Sequence, residues 1–227
     1  MEEGTRRVED FELGEPVLVC RWRLAGGRLP LENRHLRALG ARVVAGRGVT
    51  AQLLSWAKQH IEWTLRDGSA ENPDGVLMIA MDEQGRAAMS VGPYAALASD
   101  GPAALLARAE GARREAGETG VAPETLWAVR GGSLACALAE GAPVHGAASL
   151  VMDLSRAFGY EVDRDEGLLG ELEGAVTSTD DVQPQVDELF LVSDEHGVVP
   201  AEGASGEVAA RFSAAYAKLL DSERAKR

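Results

Sequence analysis

Cysteine is almost absent. The 227 residues hold two, Cys20 and Cys136, far apart and each inside an apolar segment. Neither belongs to a Cys-x-x-Cys pair or has a histidine at ligand spacing, which argues against a zinc ribbon, a redox pair and a disulfide scaffold; both read as reduced core thiols. Basic residues are also few: 23 Lys and Arg stand against 36 Asp and Glu, a formal net charge of −13. No Lys/Arg stripe interleaves with aromatics, so the electrostatic footprint of a nucleic-acid binder is missing. Only three of the cations are lysines, Lys58, Lys218 and Lys226. No apolar run approaches the roughly 20 residues that span a bilayer, and the opening MEEGTRRVEDFELGEP has no apolar h-region. The cytoplasm is the expected setting, without membrane contact.

Catalytic motifs are equally sparse. There is no Walker loop, G-x-S-x-G elbow or G-x-G-x-x-G fingerprint. His35, His60, His145 and His196 are scattered without zinc-ligand spacing, and the Asp180-Asp181 pair lacks a third ligand, so no metal site is expected.

What is present is enough apolar residue, 45% of the chain, to bury a sizeable core in one large or two small domains. Periodicities of two and of 3.6 residues alternate along it. PVLVCRWRLAGGRLPL reads as a strand, a Gly26-Gly27 turn and a second short strand. LENRHLRALGARV predicts a helix weakened at Gly40, and TAQLLSWAKQHIEWTL a helix capped by Thr50. GVLMIAMDEQGRAAMSV predicts two strands around an Asp-Glu-Gln-Gly turn. The Gly-Pro steps of GPYAALASDGP mark a linker at 93–102 between an N-terminal α/β domain, 1–92, and a C-terminal one, 103–227. Beyond it come a helix, AALLARAEGARREAG, a strand, TLWAVR, and a Gly131-Gly132 turn. The helix ASLVMDLSRAFG follows, then a strand ending at Val176-Thr177, the strand DELFLVS and a last helix, SGEVAARFSAAYAKLLD.

The hydroxyl cluster Thr177-Ser178-Thr179, in LEGAVTSTDDVQPQV, admits two readings. It is a turn that ends a strand and holds nothing, or it is one side of an anion cradle. The start of the helix at Gly146-Ala147-Ala148 suits an anion on the same grounds.

The order of these segments resembles the class IV aminotransferases, the fold-type IV pyridoxal-phosphate family that includes D-amino-acid and branched-chain aminotransferases and aminodeoxychorismate lyase. HGAASLVMDLSRAFGYEVDRDEGLLGELEGAVTSTDDVQPQVD and GEVAARFSAAYAKLL are similar to the family's Gly-Ile-Thr-Arg helix, Thr-Ser-Thr strand end, Val-x-Pro-Val strand and last helix. VLVCRWRLAGGRLPLENRHLRAL is similar to its first strand, glycine turn and His-Leu-x-Arg-Leu helix. The resemblance implies mixed α/β sheets in two small domains and a homodimer. It also implies that Thr177, Ser178, Thr179, Gly146, Ala147 and Ala148 stand where the family grips the cofactor's phosphate.

Three departures follow from the same resemblance. The Schiff-base lysine should precede AALLARAEGARREA, where the chain reads Asp100-Gly101-Pro102. The glutamate that faces the pyridine nitrogen is replaced by Cys136, unless Glu140 supplies it. The helix arginine is replaced by Ala38, with Arg37 one residue early, about 100° around the helix. A Schiff-base enzyme needs that lysine, so the expectation is a catalytically degenerate relative with no catalytic residue and no resident cofactor. Two alternatives stand beside it: an active pyridoxal-phosphate aminotransferase or lyase with a displaced lysine, Lys58, and a non-catalytic module that binds a phosphate-bearing small molecule.

Overall fold

Leu18, Cys20 and Trp22 point to one side of the first strand and are buried, whereas Val17, Val19 and Arg21 on the other side are exposed. This alternation builds β1 (Pro16–Arg23) into a sheet with one covered face. The computed structural model describes residues 12–177 and 186–226, with the backbone alone for 175–177. After β1 come α1 (Glu32–Gly40), a ribbon of β2 (Val43–Val44) and β3 (Arg47–Gly48), α2 (Ala51–Gly68), β4 (Val76–Asp82) and β5 (Ala87–Gly92). The sheet runs β1-β4-β5, all antiparallel, with Cys20 opposite Ile79 and Trp22 opposite Leu77. Leu39 of α1 and Ala57 and Ile61 of α2 close its covered face. Thr50 caps α2 as its sequence predicts, its Oγ1 accepting from the Leu53 N–H at 3.2 Å. The second strand expected after Gly26-Gly27 shrinks to one bridge between Ala25 and Arg28. The β2–β3 ribbon is too short to leave an alternating pattern in the sequence.

The rest of the chain forms α3 (Pro102–Thr119), β6 (Glu124–Arg130), β7 (Ser133–Cys136), α4 (Gly146–Phe158), β8 (Val162–Arg164), α5 (Leu168–Thr177), β9 (Glu188–Ser193), β10 (Gly197–Pro200) and α6 (Glu207–Arg224). Its five strands lie in the order β10-β9-β6-β7-β8, with β7 and β8 parallel and the other pairs antiparallel. Helices cover both faces, which explains why β6 and β9 are buried along nearly their whole length. On one side Trp127 and Phe190 pack with Val151 of α4 and Phe212 of α6. On the other, Leu126 and Leu191 pack with Leu105 of α3 and with Leu168, Leu169 and Leu172 of α5.

One expectation is overturned here. The strand expected to end at Thr177 is the helix α5, because Leu168, Leu169 and Leu172 fall on one helical face and are buried together. Thr177 is therefore the last residue of a helix rather than a strand end. Ser178, Thr179 and the Val-Gln-Pro turn after them lie outside the described residues. The strand that ends beside the start of α4 is β9 instead, and it is followed by β10, which the periodicity did not single out.

Polar contacts tie the two sheet systems together. Arg42, 3% exposed, donates from one Nη1 to Glu115 Oε1 and Thr119 Oγ1 of α3, both at 2.6 Å. Arg21 of β1 donates to both carboxylate oxygens of Glu195, at 2.6 and 2.8 Å.

Candidate functional site

The start of α4 meets the end of β9, whereas Ser178 and Thr179, expected on the other side of the cradle, lie outside the described residues. A helix start leaves backbone N–H groups without intrahelical partners and carries the positive end of the helix dipole. His145, the residue before α4, offers no side-chain cap. The partner comes from 47 residues away: Asp194, directly after β9, accepts from the Ala147 N–H at 2.7 Å through Oδ1. Gly146 makes room for it. Its φ is +52°, and a Cβ there would run into the Asp194 carboxylate, so both conformation and space require glycine.

Asp194 is held on its other sides as well. Its side chain is 8% exposed, and its Oδ2 lies 3.7 Å from the Nδ1 of buried His35, whose ring stacks on Trp22 at a centroid distance of 5.0 Å. Its backbone carbonyl accepts from the Arg23 N–H at 3.1 Å. The hydroxyl that ends β9 is also committed. Ser193 Oγ donates to Glu124 Oε1 at 2.7 Å and accepts from the N–H groups of Glu195 and His196. A carboxylate from the chain thus takes the Ala147 N–H at the helix start, and the neighbouring hydroxyl donates to a second carboxylate.

Gly146, Ala147 and Ala148 do open α4 and are all buried. The structure brings them to Asp194. Ala38 is 3% exposed in α1, whereas Arg37 is exposed and lines a cleft between α1 and α4 that His145 and Gly146 also border. Cys136 lies fully buried at the end of β7, opposite Trp127. Burial pushes its thiol up to about 11 despite the Arg164 charge nearby, so it is uncharged at neutral pH. Glu140 is exposed in the turn beyond. Asp100, Gly101 and Pro102 lead into α3, Gly101 as its cap and Pro102 as its first residue. Lys58, Lys218 and Lys226 are exposed, and Lys226 pairs with Glu223.

Two histidines border the region. Burial, reinforced by Arg42 and opposed by Asp194, holds His145 below its ordinary value, and its Nε2 has no hydrogen-bond partner. Burial also lowers His196 against the pull of Glu195, and its Nδ1 lies 3.4 Å from the Tyr94 hydroxyl. Among the described residues no three His, Cys, Asp or Glu side chains gather as metal ligands would, and no helix is long and apolar enough to cross a membrane.

Asp194 escaped the reading of the sequence, although a signal for it exists. Leu191-Val192-Ser193-Asp194, followed by Val198-Val199-Pro200, is a second hydroxyl-bearing strand end before a Val-Pro segment, beside the one expected at Thr177-Ser178-Thr179.

No protein-family model and no curated protein sequence matches the chain. Solved structures do. A Thermotoga maritima protein named provisionally as a branched-chain amino acid aminotransferase superimposes with a TM-score of 0.57 at 12% identity, covering 95% of this chain and 92% of that one. The 4-amino-4-deoxychorismate lyase of Pseudomonas aeruginosa gives 0.52 at 16% identity over 90% and 91%. An aminotransferase from Brucella abortus, bound to the cofactor PLP, gives 0.52 at 16% identity over 94% and 95%. The chain has the fold shared by class IV aminotransferases and aminodeoxychorismate lyases.

Proposed function

We propose that this fold-type IV chain is a non-catalytic relative of the class IV aminotransferases and aminodeoxychorismate lyases, with its phosphate seat filled from within by Asp194. The observation that carries the reading is the Ala147 N–H to Asp194 Oδ1 hydrogen bond at the start of α4. A cofactor phosphate brought there would meet a carboxylate it repels, with no guanidinium at Ala38 to offset the charge. The residues present do not fit pyridoxal phosphate in other respects either. Cys136 offers a neutral thiol where the pyridine nitrogen needs an anion, and each of the three lysines points into solvent.

The test is chemical. The protein is incubated with one equivalent of pyridoxal 5′-phosphate, its absorbance recorded, and the mixture reduced with borohydride and mapped by peptide mass. The expected result is no Schiff-base band and no lysine peptide modified in stoichiometric yield. Stoichiometric pyridoxyl-Lys58 would overturn the reading in favour of an active enzyme. The resemblance further implies a two-fold homodimer, and the same reading adopts it.

A further inference from the structure

A cleft of 320 Å³ opens between α1 and α4, on the outer side of the helix start that Asp194 fills. Its charge is unlike that of the rest of the chain. Arg34 and Arg37 reach it from α1, Arg156 from α4 and Arg164 from β8, and Asp153 is its single carboxylate. Arg34 donates to Asp153 Oδ2 and Ser149 Oγ, both at 2.8 Å, and Arg156 donates to Asp153 Oδ1 at 2.9 Å, so one carboxylate is shared by two guanidinium groups. Arg37 has no ion-pair partner among the described residues, and Arg164 donates only to the Ala142 carbonyl. His145, which also lines the cleft, leaves its Nε2 without a hydrogen-bond partner.

Four cations gathered around one anion repel one another, an arrangement that costs free energy unless something negative joins them. In a chain of net charge −13 this concentration is not a background property of the surface. Several exposed arginines elsewhere are answered one to one by carboxylates: Arg21 by Glu195, Arg86 by Asp82 and Arg224 by Asp74. The volume lies at the lower end of small-molecule sites, roughly 300–1,000 Å³. The planar forks of Arg37 and Arg164 suit oxyanions in bidentate geometry.

We infer that this cleft binds a compact polyanion, a small metabolite carrying at least two phosphate or carboxylate groups, clamped between Arg37 of α1 and Arg156 and Arg164 of the C-terminal sheet system. The cleft shares His145 and Gly146 with the start of α4, but Ala147, whose N–H Asp194 takes, is not among its lining residues. Binding there requires neither a Schiff base nor that N–H, so failure of this inference leaves the proposed function standing.

Isothermal titration of the full chain with pyrophosphate and, separately, with citrate tests this. Sodium chloride at matched ionic strength sets the baseline. Saturable one-to-one binding of either probe is expected, pyrophosphate pointing to a phosphate ligand and citrate to a carboxylate one. The pair Arg37→Gln and Arg156→Gln should weaken binding about tenfold or more, since each lost charged hydrogen bond accounts for about that factor. Arg66→Gln, the same charge change at an exposed site outside the cleft, should leave affinity unchanged. Absence of saturable binding of both probes overturns the inference. So does equal weakening by Arg66→Gln, which would mean diffuse attraction. Arg156 is 74% exposed and Arg37 lies on the surface, so the pair should fold, and an unchanged circular dichroism spectrum checks it.

Discussion

At the residue scale, Asp194 shows how a strand end legible in its own segment gains its role from a distant partner. Asp194 meets Ala147 across 47 positions, and nothing in either segment's periodicity announces the contact. Asp194→Ala should lower unfolding free energy by about 1–3 kcal/mol, because it orphans a buried N–H at the positive end of α4. Asp194→Asn should cost less, since the amide oxygen still accepts; urea titration of the three proteins checks the order. The cysteines, by contrast, were legible from composition and setting. Both are buried free thiols, and burial pushes each up to about 11. Neither should react with a thiol reagent at pH 8 in the native protein, and both should react after denaturation.

Elements divide along the same line between local and distant causes. The capped helix α2 and the β4–β5 hairpin follow from patterns within a few residues, and their place in the sequence was readable. The helix α5 has a weak helical signal, because Gly170 interrupts its three leucines and Gly174 and β-branched Val176 and Thr177 follow them, so burial against α3 and β9 decides its state. The hairpin carries a pH prediction. Burial works to raise the Asp82 carboxyl, but the N–H groups of Gly14 and Arg86 and the Arg86 guanidinium prevail and hold it below its ordinary value of 3.8. A carboxyl depressed in the folded state stabilises fully above its unfolded value, and that contribution is lost as pH falls through the folded one. The urea midpoint should therefore drop below about pH 4, and Asp82→Asn should flatten that part of the fall. A second strand-to-helix clamp, Glu188 of β9 accepting from the Val208 and Ala209 N–H groups at the start of α6, shows that β9 anchors two helices. Gly206 permits this, because a Cβ there would run into Glu188.

At the scale of the whole molecule, the order of strands and helices carried the resemblance, and the fold agrees with it, whereas the strand end expected at Thr177 is a helix end and the meeting of Asp194 with the start of α4 went unread. The reason is physical: overall order depends on many redundant apolar positions, but a seat depends on which two ends meet. The proposed homodimer predicts a two-chain mass by light scattering at micromolar concentration, and a one-chain mass would refute it. The central claim, that the seat at α4 is filled from within, is tested most directly by the exchange rate of the Ala147 amide proton, measured by nuclear magnetic resonance with and without pyridoxal 5′-phosphate. That amide opens its helix and has no intrahelical acceptor, so its protection depends on Asp194. The account predicts slow exchange in the native chain, no response to the cofactor, and fast exchange in Asp194→Ala. Fast exchange in the native chain, or a stoichiometric shift of the Ala147 resonance as the cofactor is added, would contradict it.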